Sequence, residues 1–106
     1  MIKAVIPALL LVTTAVGPAS AAFMTGNNLD DLCRNGNRSI VMGYAVGITD
    51  FLEGTAPEAI CIPEGVPAKQ VVDILCKYVD ENPKDRHLSG DYMVILSLSE
   101  SFPCKK

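Results

Sequence analysis

Residues 61–104 read CIPEGVPAKQVVDILCKYVDENPKDRHLSGDYMVILSLSESFPC, and two cysteines bracket two predicted helices in this stretch. Pro63 and Gly65 indicate a turn, because proline presets φ and glycine can adopt positive φ. Pro67 follows at the expected first position of a helix, where no N–H donor is needed. Pro83 ends that helix, since the residue before a proline is disfavoured in helical backbone angles.

Each of the two helices has a predicted apolar face. In the first, the spacing of apolar residues predicts burial of Val71, Val72, Leu75, Cys76 and Val79. The second helix begins near Ser89 or Asp91 and is stopped by Pro103. Its predicted face comprises Tyr92, Ile95, Leu96, Ser99 and Phe102.

A short helix is predicted around residues 27–33, which read NNLDDLC. Asn27 or Asn28 is expected to be its N-cap, and two aspartates follow where acidic side chains favour the start of a helix. Asn35-Gly36 is expected to end it, because glycine accepts the left-handed conformation that is common after a helix.

A longer helix is predicted from Asn37-Arg38 to Leu52 or Glu53, with Gly54 as the first residue beyond its end. Its apolar stripe recurs at spacings of three and four and comprises Ile40, Tyr44, Ile48, Phe51 and Leu52. Together the four segments predict an all-α fold, a small bundle of four helices.

Gly43 and Gly47 stand four residues apart inside the longer helix. Each costs about 1 kcal/mol relative to alanine, so close approach of a neighbouring helix is expected to compensate. A membrane dimerisation motif is the competing interpretation, but it requires about 20 surrounding apolar residues. Arg38, Asp50 and Glu53 argue against that motif.

An export signal is predicted over residues 1–21. Lys3 precedes an apolar run from Ala4 to Val16, and residues 19–21, Ala-Ser-Ala, fit the small-x-small rule for signal peptidase. The run has about 13 residues, whereas a membrane span needs about 20, so a short membrane anchor is the weaker alternative. The mature domain is expected to comprise residues 22–106.

The charge of the chain argues against nucleic-acid binding. The sequence has nine Lys and Arg and twelve Asp and Glu, and losing Lys3 with the leader changes the formal charge from −3 to −4. No basic cluster exceeds Lys105-Lys106, whereas nucleic-acid binding needs a basic stripe. An acidic surface suits a partner with a basic patch, although solubility alone is the simpler explanation.

The four cysteines predict two disulfides. A domain of this size buries only about 60–65% of its unfolded surface, and exported small domains commonly use disulfides to compensate. A zinc site is the alternative, but the intervals between Cys33, Cys61, Cys76 and Cys104 contain no Cys-x-x-Cys pair. Three pairings are possible, and these residues alone leave the choice open.

No catalytic, cofactor-binding or metal-binding residue is predicted. Nucleophilic catalysis needs a base beside the nucleophile, and the only histidine, His87, follows a helix break where a surface or capping role is expected. Asp50 and Glu53 are interpreted as part of a solvated helix face. The sequence also lacks a glycine-rich phosphate loop and a metal-ligand cluster.

Several motifs occur in a distinctive order and spacing. They are N-x-L-x-x-L-C at 27–33, G-Y-x-x-G-x-x-D at 43–50, C-x-P-E-G-V at 61–66, Gln70, Tyr78-Val79, Asn82-Pro83, Arg86-His87-Leu88 and Phe102-Pro103-Cys104. Over about residues 26–104 the chain resembles the Tai (type VI amidase immunity) and resistance-associated proteins, which are small exported helical proteins of Gram-negative bacteria.

The resemblance implies a protein partner and no reaction. The protein would bind a secreted peptidoglycan amidase toxin in the periplasm and block its active-site groove, with no membrane association after signal cleavage. A homodimer is also implied, because some members of that family act as dimers. We expect the partner interface on exposed loops or polar faces, such as residues 53–60 or 82–91.

The resemblance also bears on the disulfides. Family sequences usually carry a cysteine at the position of Val41 and lack one at Cys76. If Cys76 supplies the partner that Cys33 has lost, the resemblance implies the pairs Cys33–Cys76 and Cys61–Cys104.

An acid-stress chaperone of the HdeA type is the alternative function. Cys33 and the VVDILC sequence at 71–76 are similar to the pattern of those proteins. The sequence pI of about 4.9 means that the net charge reverses in mild acid, where protonation of carboxylates could loosen the fold. The Arg-His-Leu and Phe-Pro-Cys motifs have no counterpart there, which favours the immunity hypothesis.

Overall fold

Four helices form the architecture of residues 22–105, the part of the chain that this computed structural model describes. They are α1 (Gly26–Arg34), α2 (Arg38–Thr55), α3 (Ala68–Glu81) and α4 (Gly90–Ser101), with 3₁₀ turns at Pro57–Ala59 and Pro83–Asp85. No strand occurs within residues 22–105 apart from an isolated bridge between Thr25 and Ser89. The predicted all-α bundle of four helices is confirmed. The predicted leader, residues 1–21, lies outside the described residues.

The amino terminus of α1 differs from its prediction. Thr25 is the N-cap, and its hydroxyl accepts a hydrogen bond from the Asn28 N–H at 3.2 Å. The Asn28 side chain accepts in return from the Thr25 N–H at 2.9 Å, which completes a capping box. The prediction that Asn27 or Asn28 would cap the helix was wrong, because Asn28 has the inner role in this box. The predicted end is confirmed, with Asn35 as C-cap and Gly36 at φ 78°.

The carboxyl end of α2 lies beyond its predicted position. The helix continues through Gly54 to Thr55, and the N–H of the C-cap Ala56 donates to the Leu52 carbonyl at 2.7 Å. The prediction that Gly54 would lie past the end was therefore wrong. Pro57 follows directly and opens the 3₁₀ turn, which explains why the helix stops there.

The buried face of α2 is only partly the predicted one, because Tyr44, Ile48 and Leu52 are half-buried against the core. Val41, Ala45 and Thr49 are buried, whereas Ile40 is 52% exposed and Phe51 is 65% exposed. The most deeply buried positions each follow a residue of the predicted stripe by one, so the centre of the buried face is turned away from Ile40 and Phe51. Because α2 carries apolar residues on several sides, packing against α3 and α4 selects the face.

Gly43 and Gly47 do not mark a close helix contact. Both are exposed, and a Cβ atom built on either would have no neighbour within 4 Å. The prediction of close approach was wrong. Nothing within residues 22–105 covers this side of α2, and these two glycines have no packing role there.

The predicted buried face of α3 is confirmed. Its buried residues are Val71, Val72, Leu75, Cys76 and Val79. Pro67 is the N-cap and not the first helical residue, a shift of one position. The predicted stop at Asn82-Pro83 is confirmed.

The helix α4 has its predicted ends, and its buried face is only partly the predicted one, because Leu96 and Phe102 are half-buried against the core. Ser89 is the N-cap and Phe102 the C-cap. The buried residues are Gly90, Met93, Val94, Ser97 and Leu98, whereas the predicted face included Tyr92, which is 45% exposed. As in α2, apolar residues on more than one side made the spacing ambiguous.

Two disulfides connect the helices. Cys33–Cys76 joins α1 to α3 with 5.8 Å between Cα atoms, and Cys61–Cys104 joins the segment before α3 to the chain after α4 at 5.2 Å. These are the two pairs that the family resemblance implies. Each closes a loop with a sequence separation of 43. No helix within residues 22–105 is both long and apolar enough to cross a membrane.

Candidate protein-interaction surface

The Arg86-His87-Leu88 motif anchors the start of α1. The Asn27 N–H donates to the Arg86 carbonyl at 2.8 Å, and the Gly26 N–H donates to the Leu88 carbonyl at 2.9 Å. The backbones approach so closely that a Cβ on Gly26 would lie 2.8 Å from the Arg86 Cα. We call this contact, between residues 24–30 and 86–90, the α1 junction. Backbone groups of the α1 junction therefore make hydrogen bonds within the fold.

Buried charge completes the α1 junction. Asp30 is 6% exposed, and its Oδ2 accepts from Arg86 Nη1 at 2.8 Å and from Arg34 Nε at 2.7 Å. Arg34 also donates to Asp80 on α3 at 2.9 Å. The hydrogen bond to Asp30 is the main reason that the pKa of Arg34 is raised. These charges connect α1, α3 and the loop before α4.

Other residues of the 82–91 stretch also make hydrogen bonds within the fold. The Tyr78 hydroxyl donates to Asp85 Oδ2 at 3.1 Å, and Lys84 Nζ donates to the same oxygen at 3.1 Å. The Lys84 hydrogen bond is the first cause that lowers the pKa of Asp85, and burial is the first cause that raises the pKa of Tyr78. His87 is exposed, in keeping with the surface role predicted for it.

Unpaired negative charge is concentrated elsewhere. Residues 39–68 contain Asp50, Glu53, Glu58 and Glu64 but no Lys, Arg or His. The rest of residues 22–106 has eight basic and eight acidic side chains. The formal charge of residues 22–106, which is −4, therefore comes from residues 39–68. Within the described part of the chain, no base lies within ion-pair distance of these four carboxylates.

Three of these carboxylates surround a groove of about 510 Å³ between α2 and the loop that leads into α3. Asp50 and Glu53 come from α2, and Glu64 comes from the loop; all three are exposed. The apolar lining is buried or half-buried and comprises Val46, Ile62, Val66, Ala68 and Val71. We call this feature the acidic groove. It has an apolar floor and a negative rim.

The loop wall of the acidic groove is the Cys-x-Pro-Glu-Gly-Val motif. Pro63 and Pro67 fix two backbone φ angles, and Gly65 turns the chain at φ 90°. The disulfide of Cys61 ties the start of the loop to the end of α4. The motif therefore holds Glu64 on a constrained wall opposite Asp50 and Glu53.

The groove combines carboxylates with an apolar lining. His87 does not line it. Within residues 22–105 no group of three or more His, Cys, Asp and Glu side chains is placed to hold a metal ion. Of the two stretches expected to form the interface, 53–60 contributes Glu53 to the groove, whereas 82–91 contributes no lining residue.

The sequence interpretation missed the groove, although one signal for it was present. Thirty consecutive residues, 39–68, lack any basic side chain while carrying four acids. What the sequence could not show is that α2 and the loop face each other across an apolar floor. That juxtaposition depends on the packing of both against α3.

Comparison with known proteins identifies the family. No curated protein and no solved structure matches the chain significantly. Residues 25–104 match the family described as Rap1a immunity proteins. The match begins at the N-cap of α1 and ends at Cys104, so it includes all four helices and both disulfides. The chain therefore belongs to the family of Rap1a immunity proteins.

Proposed function

We propose that this protein is a periplasmic immunity protein of type VI secretion, which neutralises a secreted peptidoglycan amidase by binding it. The observation that carries the proposal is the family match over residues 25–104, the whole helical bundle. An immunity protein neutralises a protein effector by binding to it and does not need to catalyse a reaction. The motif resemblance to amidase immunity proteins supports the amidase as the effector.

The compartment is part of the proposal. Cleavage after Ala21 would release residues 22–106 into the periplasm, where cell-wall amidases act. Two disulfides support this location, because disulfides form and persist in oxidising compartments. The family match gives no support to the acid-stress chaperone alternative.

A protection experiment tests this function. The full-length gene is expressed in a Gram-negative host that also directs a type VI amidase, chosen from the genome that encodes this chain, to its periplasm. We expect survival of the host, and inhibition of the purified amidase at one immunity subunit per enzyme. Lysis despite periplasmic accumulation of the protein, together with undiminished amidase activity in vitro, would contradict the proposal.

The matched control lacks residues 1–21 and stays in the cytoplasm. We expect it to leave the host unprotected, because it never meets the enzyme. Equal protection by the leaderless form would show that the periplasmic location is wrong. The homodimer implied by the family resemblance stays a prediction, and light scattering of the purified protein measures it directly.

A further inference from the structure

We infer that the acidic groove receives a cationic segment of the partner protein, with a lysine or arginine side chain lying across its apolar floor. The inference rests on the proposed function, because the partner would be the effector. It adds the place of contact and the chemistry of the segment that is bound.

The first argument is the distribution of charge. Asp50, Glu53 and Glu64 border one groove and have no basic partner among the described residues. The charges of the α1 junction, in contrast, are used internally. A cleft with one sign of charge attracts the opposite sign and speeds association. The complementary partner surface is therefore basic.

The second argument is the apolar floor. Val46, Ile62 and Val66 are half-buried beneath the carboxylates. Lysine and arginine combine an aliphatic stem with a terminal charge, so the stem can cover apolar surface while the charge reaches the rim. A compact inorganic cation would leave this floor uncovered. The groove thus fits a long cationic side chain with apolar neighbours.

The third argument is the spacing of the carboxylates. Within residues 22–105, neither these carboxylates nor any other group of His, Cys, Asp and Glu side chains is placed to ligate a metal ion. They are instead distributed over two walls of a groove of about 510 Å³. This arrangement fits several contacts along a polypeptide segment and not one coordination centre.

The fourth argument is preorganisation. Binding is weakened when a loop must be ordered first, and a loop held in its bound shape avoids that cost. Pro63, Pro67 and the Cys61–Cys104 disulfide restrain the wall that carries Glu64. The groove is therefore built before the partner arrives.

A peptide titration tests the inference without the effector. The ¹⁵N-labelled periplasmic protein is titrated with the peptide Ac-Gly-Leu-Lys-Val-Arg-Leu-Gly-NH₂, and separately with the same peptide carrying Gln at both cationic positions. We expect the cationic peptide to shift the amide signals of residues 46–53 and 62–68, and the neutral peptide to bind roughly tenfold more weakly. Absence of binding, or shifts confined to other residues, would overturn the inference.

Two triple variants with the same charge change supply the matched comparison. Asp50→Asn, Glu53→Gln and Glu64→Gln neutralise the acidic groove, whereas the control combines exposed acids elsewhere: Asp31→Asn, Glu81→Gln and Glu100→Gln. We expect the groove variant to bind the cationic peptide roughly tenfold more weakly and the control to bind like wild type. Equal losses in both would indicate a nonspecific effect of net charge and overturn the inference.

The effector provides the second readout. If the wild-type protein inhibits the amidase, the groove variant should inhibit with a raised Kd and a weaker salt dependence, while the control retains both. Inhibition by all three proteins with one Kd would overturn the groove assignment but leave the proposed function intact. Failure of the wild type to inhibit would instead contradict the proposed function, whatever the peptide result.

Discussion

The α1 junction and the acidic groove, two regions of one small domain, use charge in opposite ways. At the junction, Asp30 is buried and contacts both Arg86 and Arg34. At the groove, Asp50 and Glu53 are exposed and have no basic neighbour within the described residues. The comparison separates charges that hold the helices together from charges that remain free for a partner.

The two regions should therefore respond differently to substitution. Changes at the α1 junction should lower the free energy of unfolding, whereas changes on the groove rim should alter binding and leave stability almost unchanged. The reason is desolvation, since only the buried carboxylate depends on its partners to compensate the loss of water.

Loss of a disulfide should have the largest effect. Each bridge closes a loop with a sequence separation of 43, which the chain-entropy model values at about 4 kcal/mol before strain is subtracted. We expect Cys33→Ser with Cys76→Ser, and Cys61→Ser with Cys104→Ser, each to lower the unfolding free energy by about that amount. Small domains have about 5–10 kcal/mol in total, so both variants should be marginal in urea denaturation followed by circular dichroism.

The two double variants also distinguish the regions. Only Cys61–Cys104 tethers the loop of the acidic groove, so only its removal should accelerate proteolysis within residues 56–66 under native conditions. Equal acceleration by loss of Cys33–Cys76 would mean that the groove wall depends on α1, and the two regions would not be independent.

The next effect concerns Asp30. Replacing it with Asn removes the charge that compensates Arg86, whose side chain is only 20% exposed. Breaking a buried ion pair by removing one partner costs about 3–5 kcal/mol, and we expect about 3 here because Arg34 and Arg86 can still donate to the amide oxygen. Urea denaturation at pH 7 measures the change.

Glu53→Gln is the matched control for Asp30→Asn, because it removes one carboxylate charge from the groove. We expect it to change the unfolding free energy by less than about 0.5 kcal/mol, as is usual for exposed sites. Equal destabilisation by the two substitutions would remove the distinction between structural and free charges.

The sequence predicted the parts of the fold in which local chemistry is unambiguous. Prolines follow the carboxyl ends of α2, α3 and α4, and α3 has one apolar face, which includes Val72 and Val79. The faces of α2 and α4 were predicted only in part because both helices carry apolar residues around most of their circumference. In these two helices tertiary packing determines which face is buried, and the helical period alone does not.

Only one part of the candidate site, its negative charge, could be predicted from the sequence. The absence of bases from residues 39–68 could be read directly, but the apolar floor could not. Val46 and Val66 come from segments about 20 residues apart and face the same groove only after α2 and α3 have packed. The structural role of the Arg-His-Leu motif was equally hidden, because it consists of backbone contacts to residues before α1.

The next effects, which have opposite signs, should come from substitutions of glycines. Gly26→Ala places a Cβ 2.8 Å from the Arg86 Cα, so the backbones at the α1 junction must separate. Overpacking of this kind typically costs about 1–3 kcal/mol. Thermal unfolding should show a lower Tm. An unchanged Tm would mean that the junction is looser than its contacts indicate.

Gly43→Ala and Gly47→Ala are the controls on the exposed face of α2, where the new methyl group meets nothing within 4 Å. Each should stabilise the protein by about 1 kcal/mol, because alanine has the higher helix propensity. The gain should be independent of protein concentration if this face stays in water. The opposite result would be a loss of stability that increases at protein concentrations where the wild type dimerises. Such a loss would contradict the expectation and would show that a second copy covers Gly43 and Gly47. The same two variants therefore measure helix propensity in a monomer and detect the predicted homodimer if it uses this face.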